Sequence, residues 1–82
     1  MSAPAQELES EVGRLVLRLL NLPQVPDMGL VRADVPEWDS LKHMEIVFAL
    51  EDRYNVRFDE SEFAALTTPA TIAASLRKHL AA

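Results

Sequence analysis

Wherever apolar residues recur regularly in this chain they do so at three- and four-residue steps, and that period confines it to helices. Leu8, Val12, Leu15, Val16, Leu19 and Leu20 follow one face of a helix, Ile46, Val47, Leu50 and Tyr54 do so again, and Ile72, Leu76 and Leu80 a third time. Alternation of the strand type runs no further than Asn55 to Phe58, and there is neither an internal repeat nor a low-complexity tract. A chain of 82 residues, 49% of them hydrophobic, has material for one core, and amphipathic helices can bury their stripes only against one another. With no cysteine present, no disulfide and no thiolate metal site can staple it, so side-chain packing must suffice. The expectation is one all-α domain over residues 1–82.

Helix ends can be placed from local chemistry. In the first helix Glu7, Glu9 and Glu11 lie toward the start and Arg14 and Arg18 toward the end, complementing the helix dipole, and Asn21, Pro23 and Pro26 stop it. Gly13 inside it is worth roughly 1 kcal/mol less than alanine, which points to close approach of a neighbouring helix. Residues 21–38 hold three prolines and no periodicity, so they form a long loop that Leu30 and Val35 pin onto the bundle. A second helix opens at Asp39 or Ser40 and runs to about Tyr54, with Asn55 in the left-handed position that ends many helices. A short third helix is signalled by Asp59 as N-cap, Glu62 three residues on, and Phe58 and Phe63 as a hydrophobic staple, with Leu66 completing its buried side. The last helix has Thr68 as cap, Pro69 in first place, and Arg77, Lys78 and His79 near its end. The predicted architecture is a four-helix bundle of three long helices and one short one, with a long loop between the first and second helices.

Thirteen acids against eight bases give a formal net charge of −5, which repels phosphate backbones and anionic lipid and favours transient docking of a basic protein surface. Nucleic acid and membrane are therefore not expected as partners. No apolar run approaches the ~20 residues of a membrane span, and Met-Ser-Ala-Pro lacks the features of a leader, so the reading is cytoplasmic. A start at Met1 and a stop just past the last helix read as a free-standing protein, with an excised domain of a larger synthase as the alternative, and a monomer is expected. No His, Asp or Glu pair has metal-ligand spacing, and no metal is expected.

The position that stands apart is Ser40, beside Asp39 at a helix start behind a long loop. If Asp39 is the N-cap, Ser40 becomes the first helical residue with a free hydroxyl, and an anion attached there would lie at the positive end of the helix dipole. The plain alternative is that Ser40 itself is the cap. Leu41, Met44 and Phe48 form a second apolar strip on the same helix, flanked by Glu45, Glu51 and Asp52, which is what a partner-binding face looks like. Met44 and Phe48 could instead be core. Trp38 is expected to pack on the adjacent loop rather than stack on a ligand, and His43 to be an exposed residue of the docking face. Asp39, Ser40 and His43 lack the strand-turn-helix and oxyanion site of a hydrolase triad. A small helical interaction module that binds a partner through Leu41, Met44 and Phe48 is the rival reading.

Trp38-Asp39-Ser40-Leu41, followed by Met44-Glu45-Ile46-Val47-Phe48-Ala49-Leu50-Glu51-Asp52-Arg53-Tyr54-Asn55-Val56, resembles the signature of acyl carrier proteins, and the similarity runs from the Leu8 helix to the Thr67-Thr68-Pro69 start of the last one. The resemblance implies that 4′-phosphopantetheine is attached to Ser40 by a separate phosphopantetheinyl transferase using coenzyme A and magnesium, with Asp39 as helix cap and motif partner. The chain itself would catalyse nothing; acyl groups would ride as thioesters on the arm, as part of fatty-acid or polyketide biosynthesis. Partners would be the transferase, an acyltransferase or acyl-ligase, and ketosynthase-type enzymes, meeting Leu41, Met44, Glu45, Phe48, Glu51 and Asp52, while Ile46, Val47, Leu50 and Tyr54 face the core and line space for an acyl chain. Trp38, the positive start given by Lys42 and His43, and Arg53 depart from the fatty-acid pattern and direct the reading toward a discrete carrier of a specialised pathway such as polyketide assembly. A peptidyl or aminoacyl carrier is the alternative, against which stands Asp39 where such carriers usually have glycine.

Overall fold

The loop that precedes Ser40 is held by the elements around it, and the order of those elements shows how. The computed structural model describes residues 5–27 and 29–81, with side chains from residue 7 onward; the first four residues, read above for a leader, lie outside them. Four α-helices occur, α1 (Ala5–Leu20), α2 (Ser40–Tyr54), α3 (Glu60–Phe63) and α4 (Pro69–Ala81), with a 3₁₀ turn at Arg32–Asp34 in the long connection and no strand among the described residues. This is the all-helical bundle the spacing predicts.

Helix α1 packs against both α4 and α2. Val12, Val16 and Leu20 of α1 meet Ile46, Val47 and Leu50 of α2 and Ile72, Ala73 and Leu76 of α4 in one core, which Phe58 and Leu66 close at the α3 end. Leu30, Val35 and Trp38 are buried with them, so the long loop is pinned as Leu30 and Val35 suggested. One backbone bond, from the N–H of Arg32 to the carbonyl of Thr67 at 2.9 Å, fastens the loop to the α3–α4 connection.

The helix ends follow their local chemistry. Both α1 and α2 stop on a left-handed asparagine, Asn21 (φ 59°) and Asn55 (φ 54°). After each, the next N–H reaches back five residues, from Leu22 to Leu17 at 3.0 Å and from Val56 to Glu51 at 3.2 Å, satisfying carbonyls the helix leaves open. At α3 the Glu62 carboxylate accepts the Asp59 N–H at 2.8 Å, the return arm of a capping box. At α4 the Thr68 hydroxyl accepts the Thr71 N–H at 3.0 Å, with Pro69 in the first helical position, where its missing donor is not needed.

Two expectations need correction. Pro69 is indeed the neighbour of Gly13, but a Cβ built on Gly13 would meet it at 3.8 Å, an ordinary contact, so space does not demand the glycine. Leu80 does not extend the α4 stripe: it is 52% exposed, and the buried side of α4 ends with Leu76. In the last turn it is His79 that turns inward, its ring edge-on to Phe58 at 5.3 Å and its Nε2 3.0 Å from the Glu62 carboxylate.

Candidate functional site

The first turn of α2 answers the question of which residue caps it. Asp39 is extended (φ −86°, ψ −174°), its Oδ1 accepts the N–H of Lys42 at 2.9 Å, and its carbonyl accepts the N–H of His43 at 2.8 Å. Asp39 is therefore the N-cap, and Ser40 is the first helical residue, exposed and relieved of any capping duty. The N–H groups of Ser40 and Leu41 have no partner within the helix, since no residue precedes them at the required distance. A negatively charged ester on the Ser40 oxygen would sit beside these donors and at the positive end of the dipole, so the residues present suit a phosphodiester.

The turn carrying Asp39 is locked from inside. The indole Nε1–H of Trp38 donates to Nδ1 of His43 at 3.0 Å, which makes Nδ1 the acceptor and leaves the ring proton on Nε2. That nitrogen donates to the Phe63 carbonyl at 2.8 Å, so one imidazole joins the loop, α2 and the end of α3. Both residues are buried, Trp38 at 2% and His43 at 4% exposure, which confirms the packing role of Trp38 and corrects the placement of His43 on the docking face. Burial, more than any other influence, pushes the His43 pKa below its ordinary value; the Phe63 carbonyl opposes this and the Arg32 charge adds to it. His43 is thus held neutral and adds no positive charge to the start of α2. With both ring nitrogens engaged, it cannot serve Ser40 as a base.

Comparison with known families now bears on this geometry: residues 10–76 match the family described as the phosphopantetheine attachment site. The chain belongs to the phosphopantetheine-binding carrier family. Its members are non-catalytic carriers that hold 4′-phosphopantetheine covalently on a serine. No curated protein and no solved structure matches the chain.

In this carrier, Leu41 and Phe48 stand out from α2 at 71% and 59% exposure, with Glu45 and Asp52 exposed beside them and Met44 half-buried. Phe48 is therefore not core. The charges of this face are not all free: Glu45 pairs with Lys42 at 3.3 Å, and Glu51 turns inward to accept the N–H of Phe58 at 2.9 Å. On the opposite side Ile46, Val47 and Leu50 are fully buried, and Tyr54 is half-buried with its hydroxyl donating to Glu11 at 2.8 Å. Burial and that carboxylate both raise the Tyr54 pKa. No group of three or more His, Asp or Glu side chains suited to a metal ion occurs among the described residues.

The residue that sequence reasoning misplaced is His43, although a signal existed. His43, Ile46, Val47 and Leu50 stand at i, i+3, i+4 and i+7, so the imidazole continues the buried stripe by one turn. A tryptophan five residues earlier supplies the partner that a buried imidazole needs.

Proposed function

We propose that this protein is an acyl carrier protein, that Ser40 bears the 4′-phosphopantetheine, and that α2 presents the arm and its cargo to partner enzymes. The observation that carries the reading is the division of labour at the start of α2: Asp39 makes the capping bond, and Ser40 is left exposed at the first helical position. The other serines in the matched segment are placed differently, Ser10 within α1, Ser61 within the one-turn α3, and Ser75 half-buried in α4.

In this reading a separate transferase brings coenzyme A and magnesium. The Ser40 oxygen attacks the phosphorus that bears the pantetheine, forming an O–P bond as the pyrophosphate P–O bond breaks. Adenosine bisphosphate leaves, and the hydroxyl proton passes to a base of the transferase. Asp39 holds the helix start in place, and the open first-turn N–H groups favour the resulting negative charge. The arm, once attached, supplies a thiol on which acyl groups are held as thioesters. Leu41, Met44 and Phe48 with Glu45 and Asp52 meet the transferase, an acyltransferase or acyl-ligase, and ketosynthase-type enzymes; Glu51 contributes less, because its carboxylate is occupied by Phe58. Asp39 in place of glycine before the serine favours acyl over peptidyl cargo.

The departures that suggested a specialised pathway have internal uses: Trp38 and His43 bond each other, and Arg53 lies 3.9 Å from Glu11 and over the Tyr54 ring. The test is intact mass after incubation with coenzyme A, magnesium and a broad-specificity transferase. Wild type gains one phosphopantetheine and Ser40→Ala gains none; an unchanged wild-type mass would refute the assignment.

A further inference from the structure

Ser40 is exposed, so the backbone that carries it, more than any contact of its own side chain, decides where its hydroxyl points. That backbone is tied on its inner side. Trp38 stands two residues before Ser40 and His43 three after it. The bond from the indole Nε1–H to the imidazole Nδ1, 3.0 Å, closes the chain between them into a ring with Asp39, Ser40, Leu41 and Lys42 on its rim. The His43 N–H, donating to the Asp39 carbonyl at 2.8 Å, spans the same turn through the main chain. A third tie leaves the ring: Nε2–H of His43 donates at 2.8 Å to the carbonyl of Phe63, the last residue of α3. No residue of α3 is fully buried, so this four-residue helix depends on polar ties for its placement, to His43 through Phe63 and to His79 through Glu62.

We propose that His43 is a positioning residue for phosphopantetheine attachment: by bonding Trp38 and the end of α3 at once, it fixes the turn from which the Ser40 hydroxyl meets the transferase. This role rests on Ser40 being the attachment residue. An in-line attack on phosphorus tolerates little error, and a displacement of about 1 Å can cost ~10²-fold in rate. At 4% exposure and with both ring nitrogens engaged, His43 reaches neither coenzyme nor enzyme, so it acts through the turn. The bridge requires the neutral ring, because a proton on Nδ1 would set two N–H donors against each other. The surroundings agree. The loop presents an indole, α3 a carbonyl, and the 3₁₀ turn the Arg32 charge, which opposes a second positive charge. On α2 the Asp39 carboxylate is engaged by the Lys42 N–H and the Lys42 ammonium by Glu45, while Glu62 of α3 and His79 of α4 bond each other. Burial also favours the neutral ring.

The test is competition between wild type and one variant for the same transferase and coenzyme A in one tube, read by intact mass at early times. The product ratio gives the ratio of kcat/KM, and the enzyme's own pH response cancels. Ratios are taken where circular dichroism shows both proteins folded. His43→Leu, which breaks both bonds, should be modified several-fold more slowly than wild type near neutral pH, with the loss in kcat and not in KM, since a buried ring offers the transferase no surface. His43→Gln keeps one acceptor and one donor and does not titrate in this range, so it should retain most of the rate and decides the matter even if the leucine variant does not fold. The wild-type to His43→Gln ratio should fall several-fold as pH drops from above 6.5 to about 5. Equal rates for wild type and folded His43→Leu, a ratio to His43→Gln that is flat with pH, or a loss confined to KM would overturn the positioning role while leaving the Ser40 assignment intact. Failure of wild type to gain any mass overturns the Ser40 assignment, and the positioning role with it.

Discussion

A single imidazole decides how firmly the turn that opens α2 is held. His43 accepts from Trp38 and donates to Phe63, so Trp38→Phe leaves a buried acceptor without its donor and should lower stability by about 1–3 kcal/mol in urea unfolding. Its protonation has a definite sign. The folded pKa lies below the ordinary 6.5, so as pH falls from that value toward the folded one the unfolded chain binds more protons and stability declines. The decline stops once the pH is below both values. A series of urea midpoints from about pH 8 down to about pH 5 should show this slope in wild type and lose it in His43→Leu, the difference isolating His43 from the other groups that titrate. Glu62 acts lower on the scale: the Asp59 N–H foremost, aided by His79, holds its pKa below 4.5, and its contribution is lost as pH falls past that value. Asp39, Ser40, Leu41 and Phe48 were legible in the sequence because capping and exposure are local. His43 was not, because a polar ring enters a core only when specific partners accept it, and one of them, the Phe63 carbonyl, comes from another helix.

At the level of elements, starts and stops were legible wherever a cap or a left-handed residue sets them. Asp59, Thr68 and Pro69 occupy the positions their chemistry assigns, and Asn55 ends α2 in the left-handed conformation foreseen for it. Replacing Asn55 by alanine, which tolerates that conformation poorly, should cost about 1 kcal/mol, whereas glycine should cost nothing; thermal midpoints would separate the two. Leu80 escaped the pattern because periodicity says which face a residue is on and not whether a neighbour still lies opposite. Gly13 escaped it too: the neighbour is present at ordinary contact distance, so Gly13→Ala should fit and raise stability by about 0.5–1 kcal/mol in denaturant titration. No gain would mean that the added methyl group strains α1 against Pro69.

Across the whole molecule, one face of α2 builds the core and the other meets solvent. Leu41→Ala and Phe48→Ala should leave the unfolding midpoint within about 0.5 kcal/mol of wild type while slowing phosphopantetheinyl transfer. Leu50→Ala, at 0% exposure, should lose about 2–5 kcal/mol. With a net charge of −5, association with a basic partner surface should also slow as salt is added, read as a falling transfer rate at fixed enzyme concentration. The burial of Trp38 has one more consequence. It is the sole tryptophan of the chain and lies against His43 two residues from Ser40, so its ultraviolet emission is a built-in optical gauge of the turn that opens α2, readable without a dye.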